Sequence, residues 1–292
     1  MIIANPVYDV VFKYLLEDID IARELLSVIL GEEILNLEFK HQEATLEIPS
    51  MGIRLIRFDF HALIKTTSGE TKKVLIELQK AKKPFDIARF RRYLGENYSR
   101  EEEVLTADGK IEKKSYPILT IYFLGFNLKS VNCTVLKVNR TYHDVTTNTV
   151  LKIKDDFVEL LTHDSFIIQI PRLNNKTRTK LERVLQVFSQ EFKTTNDNHQ
   201  LDFLGDDSDP LVKKIVYRLE RANADEQMRR NMNFEEEIEG LIDRGIEEKD
   251  AELKIEKQRA DEEKRRADDA LKVNAELLRK IDELEKQNKN KN

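Results

Sequence analysis

The chain has 292 residues, 40% hydrophobic and 35% charged, which allows one or two domains with a sizeable core and adds more charge than a compact globule uses. One cysteine, Cys133, excludes an intramolecular disulfide framework, and no apolar run approaches the roughly 20 residues of a membrane-spanning helix. The net charge of −5 disfavours polyanion binding by the chain as a whole, but local sign decides where phosphate binds.

In chain order, residues 8–31 read as helix in two pieces. Val11, Tyr14 and Leu15, then Ile21, Leu25, Leu26 and Ile29, recur at helical spacing, and Gly31 suits a C-terminal stop. Acidic residues interrupt the opening, so no signal-peptide pattern is present. Residues 37–48 read as extended, and strands follow at 53–65 and 73–80. Between those strands, Thr66-Thr67-Ser68-Gly69-Glu70 supplies a turn. If the two strands pair as a hairpin, Asp59 and Glu77 lie about equally far from a turn centred near Ser68, and two carboxylates meet across the ladder. Glu77 and Gln79 share a face, while Ile76 and Leu78 take the other. A slip of one residue would break the pairing. Such a set offers oxygen ligands to a hard cation such as magnesium or manganese.

Pro84 breaks the chain before a helix predicted over 85–103. Ile87, Phe90, Leu94 and Asn97/Tyr98 are assigned to its inner face, and Arg89, Arg92, Tyr93 and Glu96 to another. Residues 116–126 form an apolar run suited to a central buried strand. Strands at 135–138 and 166–170 complete a mixed sheet flanked by helices, an α/β layered domain. From Lys176 the strands stop. Helices at 177–192 and 210–221 flank a polar loop around 196–208, in which Asp206-Asp207-Ser208-Asp209 reads as a solvated acidic turn. Beyond about Glu235 the composition becomes charged, so the chain is divided into 1–230 and a helical, partly coiled-coil tail, 231–292. There Ala267, Asn274 and Ile281 fall at heptad a, and Ala270, Leu277 and Leu284 at d. Asn at a favours parallel two-stranded pairing, which predicts a homodimer through the C-terminal helix. Gly240 and Gly245 are read as a hinge between body and tail.

Four stretches, taken in order, resemble one family. These are Asn5-Pro6-Val7-Tyr8-Asp9-Val10-Val11-Phe12-Lys13-Tyr14-Leu15-Leu16, the pair Phe58-Asp59, Ile76-Glu77-Leu78-Gln79, and Arg89-Phe90-Arg91-Arg92-Tyr93. Together they resemble the PD-(D/E)XK nucleases, in particular the Rpn-type group of recombination-promoting nucleases and transposases. The resemblance covers the first third of the chain well and the middle third loosely. It implies a restriction-endonuclease-like fold and an endodeoxyribonuclease dependent on Mg2+ or Mn2+, in which Asp59 and Glu77 bind the metal. Gln79 stands where the superfamily usually has Lys, as it often does in this subgroup. The resemblance further implies a bacterial mobile-element or genome-defence role, with cleavage promoting recombination.

Gln79 can hydrogen-bond a water but cannot act as a cation. Strand alternation aims the adjacent Lys80 at the other face, so Lys13 or a basic residue after Glu77 is the candidate for that charge. Lys80, Lys82, Lys83, Arg89, Arg91, Arg92 and Arg100 cluster just past Glu77, where a phosphodiester must lie. The residues assigned to DNA contact are Lys13, Arg89, Arg92 and Tyr93. Asp9 has two readings, a helix N-terminal charge and a helper to the metal. His61 shares the face of Asp59 and reads as a hydrogen-bonding group, with a ligand role as the alternative. Cys133 reads as a packed thiol. The remaining histidines lack ligand spacing, and no glycine-rich phosphate loop is present. Two functions follow: a cytoplasmic metal-dependent DNA endonuclease, or a catalytically degenerate nuclease-fold module that binds DNA or protein and oligomerises through its coiled coil.

Overall fold

The computed structural model describes residues 1–40, 44–48, 53–57, 60–79, 84–106, 108–174 and 177–289. The first strand, β1 (Ile2–Ala4), is followed by α1 (Asp9–Leu16) and α2 (Ile19–Leu30), the two helical pieces read from the apolar spacing. Asp18 caps α2 by accepting a hydrogen bond from the Ile21 amide at 3.1 Å. Gly31 closes it with φ of 70°, a left-handed conformation that glycine adopts freely. Asp18→Ala is expected to lower stability by about 1 kcal/mol in chemical denaturation, the usual cost of losing an N-cap.

Next come β2 (Ile34–Lys40), β3 (Ala44–Ile48), β4 (Ile53–Arg57), β5 (Phe60–Thr66) and β6 (Thr71–Gln79). The strand expected over 53–65 is therefore two strands in different sheets. β4 pairs with β3 in a two-stranded ribbon, and β5 pairs with β6 and β2 in the main sheet. Helix α3 (Pro84–Ser99) stops short of the expected 103, and the chain turns into a hairpin of β7 (Glu102–Leu105) and β8 (Ile111–Lys114). β9 (Ile118–Leu124), β10 (Val135–Val138), the β11 (Tyr142–Asp144) and β12 (Thr149–Leu151) hairpin, α4 (Asp156–Leu161) and β13 (Asp164–Gln169) follow.

The main sheet has the order β10-β13-β9-β6-β5-β2. β6, β9 and β13 are mutually parallel, and the other pairings are antiparallel. Parallel neighbours need a crossover, which α3 supplies between β6 and β9. β9 is apolar almost throughout because both of its faces are covered. On one face Val74, Ile76 and Leu78 join Phe12, Leu15, Phe123 and Phe188 in the main core. On the other, Leu75 packs with Phe90, Tyr93 and Ile118 beneath α3.

That packing corrects the assigned faces of α3. Ile87 is 56% exposed and Tyr93 only 4%, because the groove beside Leu75 takes the stripe through Phe90, Tyr93 and Asn97. The helix expected over 177–192 is α5 (Lys180–Leu185) followed by 3-10 turns at Gln186–Phe188 and Gln190–Phe192. The polar loop expected over 196–208 contains β14 (Gln200–Asp202), which pairs with β1. The last helices are α6 (Pro210–Ala224) and α7 (Glu226–Lys289), and α7 is continuous through Gly240 and Gly245, which mark no break. The chain forms two compact units, Met1–Glu235 and Glu236–Asn292. Among the described residues, no helix is long and apolar enough to cross a membrane.

Candidate functional site

β5 and β6 pair antiparallel with Phe60 opposite Ile76, His61 opposite Leu75 and Lys65 opposite Thr71. Phe60–Ile76 is the last described rung. Asp59, the first member of the expected carboxylate pair, lies outside the described residues, as do Lys80, Lys82 and Lys83 and the side chains of Gln79 and Arg89.

Glu77 is described, and its position is unusual for a carboxylate: it is 4% exposed. It stands near the C-terminal end of β6, opposite Tyr122 on β9, on the face that carries Leu75 and α3. Tyr122 reports that neighbourhood. Its phenol is pushed up to about 12, first by burial, against a hydrogen bond with Thr120, and then by the negative charge of Glu77. The Phe90 ring meets the Tyr122 ring edge-on at 4.7 Å, and Thr120 Oγ1 donates to Ser165 Oγ at 2.7 Å. Phenol, hydroxyls and carboxylate thus share one face of the parallel strands, with Tyr122 held protonated as a donor.

Along the same face, two turns of the pleat before Glu77, lies an ion cluster that inspection of the sequence missed. Lys73 is 1% exposed and its Nζ sits 2.8 Å from Glu102 Oε1. His61 Nε2 lies 3.6 Å from the same oxygen, and Lys73 Nζ donates to the Arg100 carbonyl at 3.4 Å. Burial raises the Glu102 pKa, but the hydrogen bond and charge of Lys73, then His61 and Arg100, outweigh it and hold the carboxyl below its ordinary range. His61, expected to share the face of Asp59, which lies outside the described residues, stands opposite Leu75 and beside a carboxylate from β7. The available signal was parity: Lys73, Leu75 and Glu77 alternate onto one face.

A second polar knot ties α4 to β13. Arg140 Nε donates to Asp164 Oδ1 at 3.0 Å and its Nη2 to Glu159 Oε2 at 2.7 Å. Tyr142 Oη donates to Glu159 Oε1 at 2.6 Å. Beside the knot, Tyr98 Oη and His163 Nδ1 are 2.6 Å apart. Burial, then the Arg140 charge, keeps the His163 imidazole below its ordinary pKa.

Of the residues assigned to DNA contact, Arg92 is exposed on α3, and Tyr93 is buried under it, so its ring supports the helix instead of reaching outward. Lys13 lies in the last turn of α1, whose Phe12 and Leu15 pack on the opposite face of the sheet from α3. Asp9 sits in the first turn of α1, where the Glu235 carboxylate accepts from the Asp9 and Val10 amides at 3.0 and 3.4 Å. Cys133, expected to be packed, is exposed in the loop before β10, because that loop is anchored through its backbone: Gln169 Nε2 donates to the Cys133 carbonyl at 2.6 Å. Asp206 accepts from the Ser208 amide at 2.9 Å, in a local turn.

Comparisons with family models, with curated proteins and with solved structures find no match. Among the described residues, no three His, Cys, Asp or Glu side chains gather into a metal-holding group. Glu77 alone supplies the test of fit to a hard cation. A carboxylate buried at the end of a parallel strand is an oxygen donor of the right kind, at the strand end where α/β folds keep their binding groups.

Proposed function

We propose that this chain is a DNA endonuclease of restriction-endonuclease-like fold, dependent on Mg2+ or Mn2+. The supporting observation is Glu77, a carboxylate 4% exposed on the crossover strand of a mixed sheet, beneath a helix with arginines on its outer side. A carboxylate at that strand end is an oxygen donor of the kind that hard cations take. In sequence, Asp59 directly precedes Phe60 and Glu77 directly follows Ile76. In this reading Asp59 and Glu77 hold the cation, and Gln79 accepts or donates a hydrogen bond that orients a water. Arg89 and Arg92 hold the phosphates of the duplex. A divalent ion held there would lower the pKa of its bound water and supply a counter-charge for the phosphoryl group. The biological setting proposed is recombination or mobile-element activity in the cytoplasm, with a second copy of the chain as partner through the C-terminal helix.

One feature favours a second reading, a degenerate nuclease fold serving as a DNA- or protein-binding module: Leu271, Leu277, Leu278 and Ile281 of α7 are all more than half exposed. Nicking of supercoiled plasmid with Mg2+, Mn2+, Ca2+ or EDTA separates the two. Metal-dependent cutting by the wild type that disappears in Asp59→Ala is the expected result. Retention of DNA without cutting under any metal transfers the assignment to the binding module.

A further inference from the structure

We infer that the C-terminal unit joins two copies of this chain as a parallel, in-register, two-stranded coil whose seam runs from Ala267 to Leu284. This deepens the second-copy partner proposed above and is independent of the cutting chemistry. The observation is the apolar stripe of α7. Leu271, Val273, Leu277, Leu278 and Ile281 are 67%, 55%, 51%, 67% and 51% exposed in the single chain. Contiguous exposed apolar side chains at helical spacing mark an interaction surface.

The occupant follows from what each heptad position presents. With Ala267, Asn274 and Ile281 at a, and Ala270, Leu277 and Leu284 at d, the core seam has one polar residue. In a parallel in-register pair Asn274 meets its own copy, and the two amides satisfy each other. In an antiparallel pair an a residue packs against d, so the Asn274 amide would face alanine or leucine and lose its partner.

The flanking positions agree. In a parallel pair each g residue lies against the e residue of the partner's next heptad. Arg266 at g then meets Leu271 at e, with its aliphatic stem over the leucine. Val273 meets Leu278, extending the apolar seam. Both pairings are compatible, and the e-position leucines, which a strict a/d seam would leave wet, are covered by the second copy.

The test uses the full chain with Cys133→Ser, since the exposed Cys133 would cross-link by itself. Light scattering should give twice 34.3 kDa. With Leu277→Cys added, mild oxidation should link the two chains at least about tenfold faster than with Arg279→Cys, which heptad position f points away from the seam. Asn274→Ile should replace the single species by a mixture that includes larger ones. A mass of one chain, or of three or four, overturns the two-stranded pairing. A mass of two without preferential linkage at position 277 overturns its parallel register. Because both readouts omit DNA, they are unaffected by whether the plasmid is cut.

Discussion

Glu77→Gln is expected to lower metal-dependent plasmid nicking by about 100- to 1000-fold, the scale of removing one charge-stabilising group from an active site, with little change in thermal stability. The exchange keeps the length and shape of the side chain and removes only its charge. For the fold the change is small, because the Gln amide fills the same space and can still hydrogen-bond in its surroundings. For a cation it is a large loss, since a neutral amide oxygen is a far weaker ligand than a carboxylate. Raising Mg2+ or Mn2+ should recover part of the rate if the loss is one of metal affinity. Tyr122, which stays a neutral phenol up to about 12, contributes no inflection to the pH profile between 6 and 9. Rates equal to wild type at every metal concentration would remove Glu77, and with it the nuclease assignment.

The second large effect belongs to the ion cluster on the same sheet face. Glu102→Ala leaves the Lys73 ammonium, 1% exposed, without its carboxylate, and breaking a buried pair from one side costs about 3–5 kcal/mol. Replacing both partners, as in Lys73→Met with Glu102→Leu, is expected to restore most of that stability, because neither desolvated charge remains. Urea unfolding of the three proteins measures both statements. The pH dependence has a definite sign. The Glu102 carboxyl is held below its ordinary value in the folded chain, so the folded state binds fewer protons. The stabilisation is complete above the unfolded glutamate pKa and is lost as pH falls through the lowered folded value. Between pH 6 and 3 the wild-type midpoint should therefore fall more steeply than that of the double variant. Parallel curves would show that the pair contributes nothing to acid unfolding.

Local features were legible in the sequence. Apolar spacing with Gly31 at the end marked α1 and α2, and the turn at 66–70 set the β5–β6 pairing. The unbroken apolar run around Ile121 marked a strand covered on both faces. Features decided by distant partners were not. Spacing near 3.6 residues gives α3 two overlapping stripes, one through Ile87 and one through Tyr93, and only the groove beside Leu75 selects the second. Lys73 reads as one more surface lysine until β7 delivers Glu102 to it. The Arg140 knot likewise joins residues whose pairing no local pattern announces. Of the proposed site, the alternation that sets Glu77 apart from Ile76 and Leu78 was legible. The burial of Glu77 was not, since it depends on β9 and α3 closing over it.

The clasp of Glu235 on the first turn of α1 bears on how the protein is taken apart. Met228 and Met232, 9% and 1% exposed, already belong to the N-terminal core, and Glu235 satisfies two amides that Tyr8 leaves uncapped. A truncation at Arg230 would therefore remove a buried methionine and expose a helix end as well as deleting the charged tail. Its loss of any property would say as much about a damaged body as about a missing coil. The informative cut falls after Glu235, which ends the first compact unit and itself holds the first turn of its first helix.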